Sequence, residues 1–166
     1  AAEATIRAAA DRFPEMILGA GTVLTTDQLQ RAAGAGARFG VAPGCNPTVV
    51  EAAQAMGFAF APGVCTPSDV ECAVGCGARD LKFFPAEAVG GTTMLKALIG
   101  PYGHLGLQFC PTGGIHARNM AAYFALPHVA VVGGTWIAGR DAMAAGEWDD
   151  IGALAREAVA RVAALR

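Results

Sequence analysis

Phe39-Gly40-Val41-Ala42-Pro43-Gly44-Cys45-Asn46-Pro47 is the stretch whose reading decides the fold. Four apolar residues make a short buried-strand signal, and Pro43-Gly44 ends it. Asn46 then offers a side-chain oxygen to cap a helix, and Pro47 fits the first helical position, where no N–H is needed. A helix over 47–56 follows, and the next apolar run, Phe58 to Ala61, again stops at Pro62-Gly63. Strand, sharp turn, capped helix and strand in so few residues require a parallel pair joined by a helical crossover.

The unit repeats along the chain. Apolar runs begin at Met16, Phe39, Phe58, Leu81, Leu107 and Val129, each about 19 to 26 residues after the last and each closed by Gly or Pro. Their predicted spans are Met16–Gly19, Phe39–Ala42, Phe58–Ala61, Leu81–Phe84, Leu107–Cys110 and Val129–Val132. Helices are predicted at Glu3–Arg12, Thr25–Ala35 with a Thr25 or Thr26 cap, Thr66-Pro67 to Val74, Thr92–Ile99, His116–Ala125 and Asp149–Leu165. The last carries Leu154, Ala158 and Val162 along one stripe. The fold class is α/β. The period alone fits an open sheet or a closed barrel, and six units do not close eight strands. A chain that opens on a helix leads us to expect two further strands, about 50 residues, before Ala1. One domain is expected over residues 1–166.

Composition narrows the function. The chain is 54% hydrophobic and 16% charged, against about 25% charged in average soluble proteins, so much of its surface is expected to be covered, in the core or between subunits. A net charge of -2, with signs mixed, excludes a nucleic-acid footprint or a polybasic membrane patch. No apolar run reaches the roughly 20 residues of a spanning helix, and the start is no signal peptide. Five cysteines in irregular spacing describe no disulfide framework, and Cys72-x3-Cys76 is no usual zinc spacing. Free thiols in a reducing cytoplasm, with no metal, are expected.

The chemistry-bearing residue is Lys82, alone among apolar neighbours in Leu81-Lys82-Phe83-Phe84-Pro85. Burial disfavours an ammonium and makes the neutral amine accessible, which attacks carbonyls to form imines. Alternation puts Lys82 and Phe84 on one face and Leu81 and Phe83 on the other. A snorkelling lysine, or one paired with a buried carboxylate, is the alternative. Ligands of parallel α/β folds sit at the carboxyl ends of strands. There Thr112-Gly113-Gly114 and Gly133-Gly134-Thr135 could cradle a phosphate with backbone N–H groups, or be plain Gly-rich turns. Thr22 could bind substrate or cap its turn, and Pro43 could shape a pocket wall. Glu87, beyond Pro85, is read as structural, a solvent contact or turn cap, with assistance in proton transfer as the alternative. His104, His116 and His128 lack ligand spacing, and Arg79, Arg118 and Arg140 are read as solvated charges.

Gly19-Ala20-Gly21-Thr22-Val23, Lys82-Phe83-Phe84-Pro85-Ala86-Glu87, Cys110-Pro111-Thr112-Gly113-Gly114-Ile115 and Gly133-Gly134-Thr135-Trp136, in that order, resemble the bacterial 2-keto-3-deoxy-6-phosphogluconate (KDPG) aldolase family. That family includes the 4-hydroxy-2-oxoglutarate (KHG) aldolases. The resemblance covers the whole chain. It implies a TIM (β/α)8 barrel, a homotrimer and class I chemistry without metal or other cofactor. It implies that Lys82 is the Schiff-base lysine. Thr22, Pro43, Phe84 and Thr112 would surround the pyruvate end of a 2-keto acid substrate, and Gly113, Gly114, Gly133, Gly134 and Thr135 would hold its phosphate. Serine is frequent in the family where Thr135 stands, and both keep the hydroxyl. The family's catalytic glutamate and substrate-binding arginine, carried on its early strands, match no residue here.

Overall fold

A computed structural model of the chain describes residues 2–165. The elements run α1 (Ala2–Arg12), β1 (Gly19–Gly21), α2 (Thr26–Gly34), β2 (Phe39–Val41), α3 (Pro47–Ala55), β3 (Ala59–Ala61), β4 (Gly63–Val64), α4 (Pro67–Gly75), β5 (Asp80–Phe83), α5 (Gly91–Tyr102), β6 (Gln108–Pro111), α6 (Met120–Phe124), α7 (Arg140–Ala145) and α8 (Trp148–Ala164). All pairing is parallel, in the order β1-β2-β3 and β4-β5-β6. The two sheets meet at Pro62, which separates β3 from β4 along one extended stretch. β3 pairs back to β2, and β4 pairs forward to β5. Pro62 has no N–H to give, but its carbonyl accepts from Lys82 N at 2.8 Å, and Gly63 N donates to Gly44 O at 3.1 Å, so hydrogen bonds cross the seam.

Helix starts follow the local chemistry. Thr25 Oγ1 accepts from Gln28 N and Asn46 Oδ1 from Thr48 N. Thr66 and Asp69 form a reciprocal capping box ahead of α4. The sheet alternates as the sequence requires. Leu81 and Phe83 are fully buried on one face, against helices that contribute Val49, Val50, Val70, Leu95 and Leu98. Each such side chain stabilises by about 1.5–3 kcal/mol relative to exposure.

Three expectations need correction. The first strand starts at Gly19, and Met16 and Ile17 are 50% and 69% exposed. The β1–β2 register begins at Gly19↔Phe39, so Met16 and Ile17 are apolar but outside the strand pairing, and Met16 N donates to Phe13 O at 2.9 Å. Val129–Val132 is no strand ladder. Two isolated parallel bridges, Phe109↔Val129 and Thr112↔Gly133, join this stretch to β6 and the residue that follows it. Three steps on β6 oppose four on this segment, and one extra residue breaks a ladder. Finally, α6 starts at Met120, and 117–119 is a turn. Asn119 Oδ1 accepts from His116 N at 2.8 Å, Asn119 Nδ2 donates to Gly114 O, and His116 Nδ1 accepts from Arg118 N. These side chains take backbone partners a helix would need.

Candidate active site

Lys82 lies in β5 between Gly63 of β4 and Cys110 of β6 in register. Its neighbours Leu81 and Phe83 turn into the core, so alternation sends Lys82 to the opposite face, half-buried. That face opens on a cavity of about 510 Å³ bounded by β2, β3, β5, β6 and residues 130–133. Its walls are chiefly apolar, with Phe39, Phe60 and Val132 among them, and Asp80, Gln108, Cys110 and Thr112 supply the other polar groups. The Lys82 Nζ stands 4.7 Å from the centre of the Phe84 ring. Among the described residues it forms no ion pair. Burial lowers its pKa from the ordinary 10.5, and a negative charge on Cys110 would act the other way. Burial holds that thiol up as well, against the effects of Thr112 and Lys82.

Thr112 and Gly133 line the same cavity. The Thr112 hydroxyl donates to Cys110 O at 3.2 Å, and a Cβ at position 133 would come 2.6 Å from that hydroxyl oxygen. The loop after β6 is laced to the loop after β5: Ala86 N donates to Thr112 O and Glu87 N to Gly113 O. Gly113 and Gly114 have φ of +100° and +78°, a backbone that glycine adopts without strain. Gly114, Gly134 and Thr135 are exposed, and their N–H groups find no acceptor among the described residues. Trp136 lies against Gly134, where a Cβ would overlap its ring.

Thr22 and Pro43 are not brought to the Lys82 cavity. Thr22 borders a hollow between β1, α1 and α2, and Pro43 one floored by Val49 and Phe60. Glu87 accepts a hydrogen bond from the buried Tyr123 hydroxyl, which ties the β5 exit loop to α6. Burial first, and Glu87 second, push the Tyr123 hydroxyl above its ordinary value. His128 Nδ1 meets Leu107 O at 3.0 Å. Gln108 and Cys110 line the cavity without having been singled out. The alternation that pairs Lys82 with Phe84 also pairs Gln108 with Cys110, and parallel register sets them beside Asp80 and Lys82.

A parallel α/β frame holding one half-buried amine, free of any carboxylate, over an apolar cavity defines an α/β protein with a lysine-centred site. The chain belongs to the KDPG and KHG aldolase family, whose model matches residues 1–154. It is 43% identical over 159 residues to the 2-dehydro-3-deoxy-phosphogluconate aldolase of Haemophilus influenzae, covering 96% of this chain and 74% of that one. Among solved structures it is similar to the KDPG aldolase of Legionella pneumophila, in which pyruvate was captured at low pH as a covalent carbinolamine intermediate. The TM-score is 0.87 and the identity 39%, with 92% of this chain and 73% of that one covered. The Zymomonas mobilis enzyme with 3-phosphoglycerate matches at a TM-score of 0.83 and 36% identity, over 95% of this chain and 72% of that one.

Proposed function

We propose that this chain carries out class I aldol cleavage of 2-dehydro-3-deoxy-6-phosphogluconate to pyruvate and glyceraldehyde 3-phosphate, with Lys82 as the amine. The observation that carries the reading is the Lys82 tip, lowered in pKa by burial, free of a carboxylate and beside an apolar cavity. The neutral amine attacks the C2 ketone to give a carbinolamine, and loss of water leaves a protonated imine. The protonated imine accepts the electron pair of the C3–C4 bond as it breaks, while the C4 hydroxyl passes its proton to a solvent water and C4 departs as the aldehyde carbon. The enamine gains a proton at C3, and hydrolysis returns the amine and pyruvate. The Phe84 ring supports the iminium through its π face. The carbinolamine captured in the Legionella relative is the first intermediate of this sequence.

Phosphate binding falls to Gly113, Gly114, Gly133, Gly134 and Thr135, and the free N–H groups of the exposed loops support this. Thr112, which lines the Lys82 cavity, adjoins the reacting carbons, and Thr22 and Pro43, which border other hollows, are given no contact with them. The sequential parallel order supports a (β/α)8 barrel architecture for the fold. A homotrimer in the cytoplasm is our reading of its assembly and location, supported by the low charged fraction and by Trp148 and Val159, exposed on α8.

The family name also covers KHG aldolases, so cleavage of 4-hydroxy-2-oxoglutarate to pyruvate and glyoxylate is the second reading. Pyruvate release, coupled to lactate dehydrogenase, tests both substrates. Activity lost in Lys82→Ala supports the assignment, and activity kept in that variant overturns it. Gly113→Val or Gly134→Val should weaken the phosphorylated substrate more than the unphosphorylated one. Equal loss on both would remove the phosphate cradle.

A further inference from the structure

Irregular cysteine spacing hides a pairing that the fold creates. Cys45 follows Pro43-Gly44 in the loop between β2 and α3, and Cys72 lies on α4. They are 27 residues apart in sequence, yet their sulfurs are 3.7 Å apart. Both are half-buried. Neither lines the Lys82 cavity, so the chemistry of this pair is independent of the aldolase reading.

We propose that Cys45 and Cys72 are an oxidisable pair that closes to an intramolecular disulfide when the protein meets a peroxide. Bonding requires sulfurs about 2 Å apart, so the pair has roughly 1.7 Å left to close from its 3.7 Å separation. Both partners are held in position. α4 is fixed at its start by the Thr66–Asp69 capping box, and Asp69 also accepts from Cys65 N. The Cys45 loop is fixed by the Gly63 N to Gly44 O bond, and Gly63 packs so tightly on Pro43 that a Cβ there would collide with the Pro43 carbonyl. The remaining thiols are placed otherwise. Cys65 stands beside Asp69, and Cys110 meets the Thr112 hydroxyl. Cys76 is one helical turn from Cys72 and is the competing partner.

The chemistry balances with the peroxide as oxidant. One thiolate attacks a peroxide oxygen, giving a sulfenic acid and releasing water after protonation. The second thiolate attacks the sulfenic sulfur and displaces hydroxide, which takes up a proton to form a second water. Two thiols lose two electrons in total, and one hydrogen peroxide becomes two waters. Burial, and then Cys72, hold the Cys45 thiol far up its range, and its S–H is directed at the Cys72 sulfur, so Cys72 is the thiol that meets the peroxide and Cys45 the partner that resolves it. The bond would fasten the rim loop of β2 to the helix that follows β4, across the seam at Pro62.

The test treats the purified protein with hydrogen peroxide under native conditions, alkylates free thiols and maps the peptides by mass spectrometry. We expect a Cys45–Cys72 linked peptide and an intact mass lower by two hydrogens, both reversed by dithiothreitol. The link should be absent in Cys45→Ser and in Cys72→Ser and present in Cys65→Ser. Melting should rise by roughly 5–10 °C on oxidation. A link between Cys72 and Cys76, a link between two chains, or Cys45 still fully alkylated after Cys72 has reached the sulfinic acid would each overturn the proposal.

Discussion

Gly114→Ala isolates one contact at the edge of the site. Gly114 has φ of +78°, and for an L side chain the left-handed region costs about 1–2 kcal/mol. An added Cβ would stand 2.7 Å from Glu87 Cγ and 2.8 Å from Glu87 Cβ. These are the near atoms of that side chain, so relief requires the β5 exit loop to move and not merely a rotamer to swing. Glu87 holds the hydroxyl of Tyr123, a residue 1% exposed, and a buried donor left without a partner costs about 1–3 kcal/mol. With the two effects partly overlapping, we expect a loss of roughly 2–4 kcal/mol, or about 5–15 °C in melting temperature. The assay is urea denaturation followed by far-ultraviolet circular dichroism, with Gly44→Ala as control. No atom lies within 4 Å of a Cβ at position 44 and its φ is not positive, so the control should stay within about 0.5 kcal/mol of the parent. If Gly114→Ala proved as stable as Gly44→Ala, the close packing of the two exit loops would be refuted.

Other expectations rest on the same geometry. Burial lowers the Lys82 pKa from 10.5, so between the folded value and 10.5 the unfolded chain binds more protons and stability rises with pH. Lys82→Met removes the buried charge, so it should be more stable than the parent at neutral pH, and the gap should close as pH approaches 10.5. A gap independent of pH in parallel melting series would deny the desolvation. Tyr123→Phe deletes the donor to Glu87 and should cost about 1 kcal/mol in denaturation while leaving pyruvate release near the parent rate. A tenfold loss of rate with unchanged stability would move Glu87 into the chemistry. Leu81→Ala, at a fully buried position behind Lys82, should cost about 2–5 kcal/mol, measured the same way.

Much of the fold is legible because caps and turns act locally. Asn46-Pro47, Thr66-Pro67 and Thr25 each start a helix where their chemistry allows one. The alternation around Lys82 is equally local, and it separates Leu81 and Phe83 from the amine. The misses are tertiary. Val129–Val132 has strand composition, but its extra residue against β6 shows only in the pairing. At His116 the competition comes from Asn119, whose second contact, Gly114 O, lies in the preceding loop. The short α7 has no side-chain cap to announce it. Which loops share a hollow is not written in any one segment. Thr22 and Pro43 look alike in sequence as strand-end residues, yet they border different hollows from Lys82. The Cys45–Cys72 contact is invisible to spacing for the same reason, since it needs α3 and α4 side by side.

Borohydride reduction of the protein in the presence of pyruvate, with peptide mapping by mass spectrometry, tests the role of the Lys82 amine most directly. A reduced pyruvate adduct on the peptide carrying Lys82, and on neither the Lys96 peptide nor any peptide of Lys82→Ala, is the expected result. An adduct that persists in Lys82→Ala, or none at all on the active protein, would contradict it.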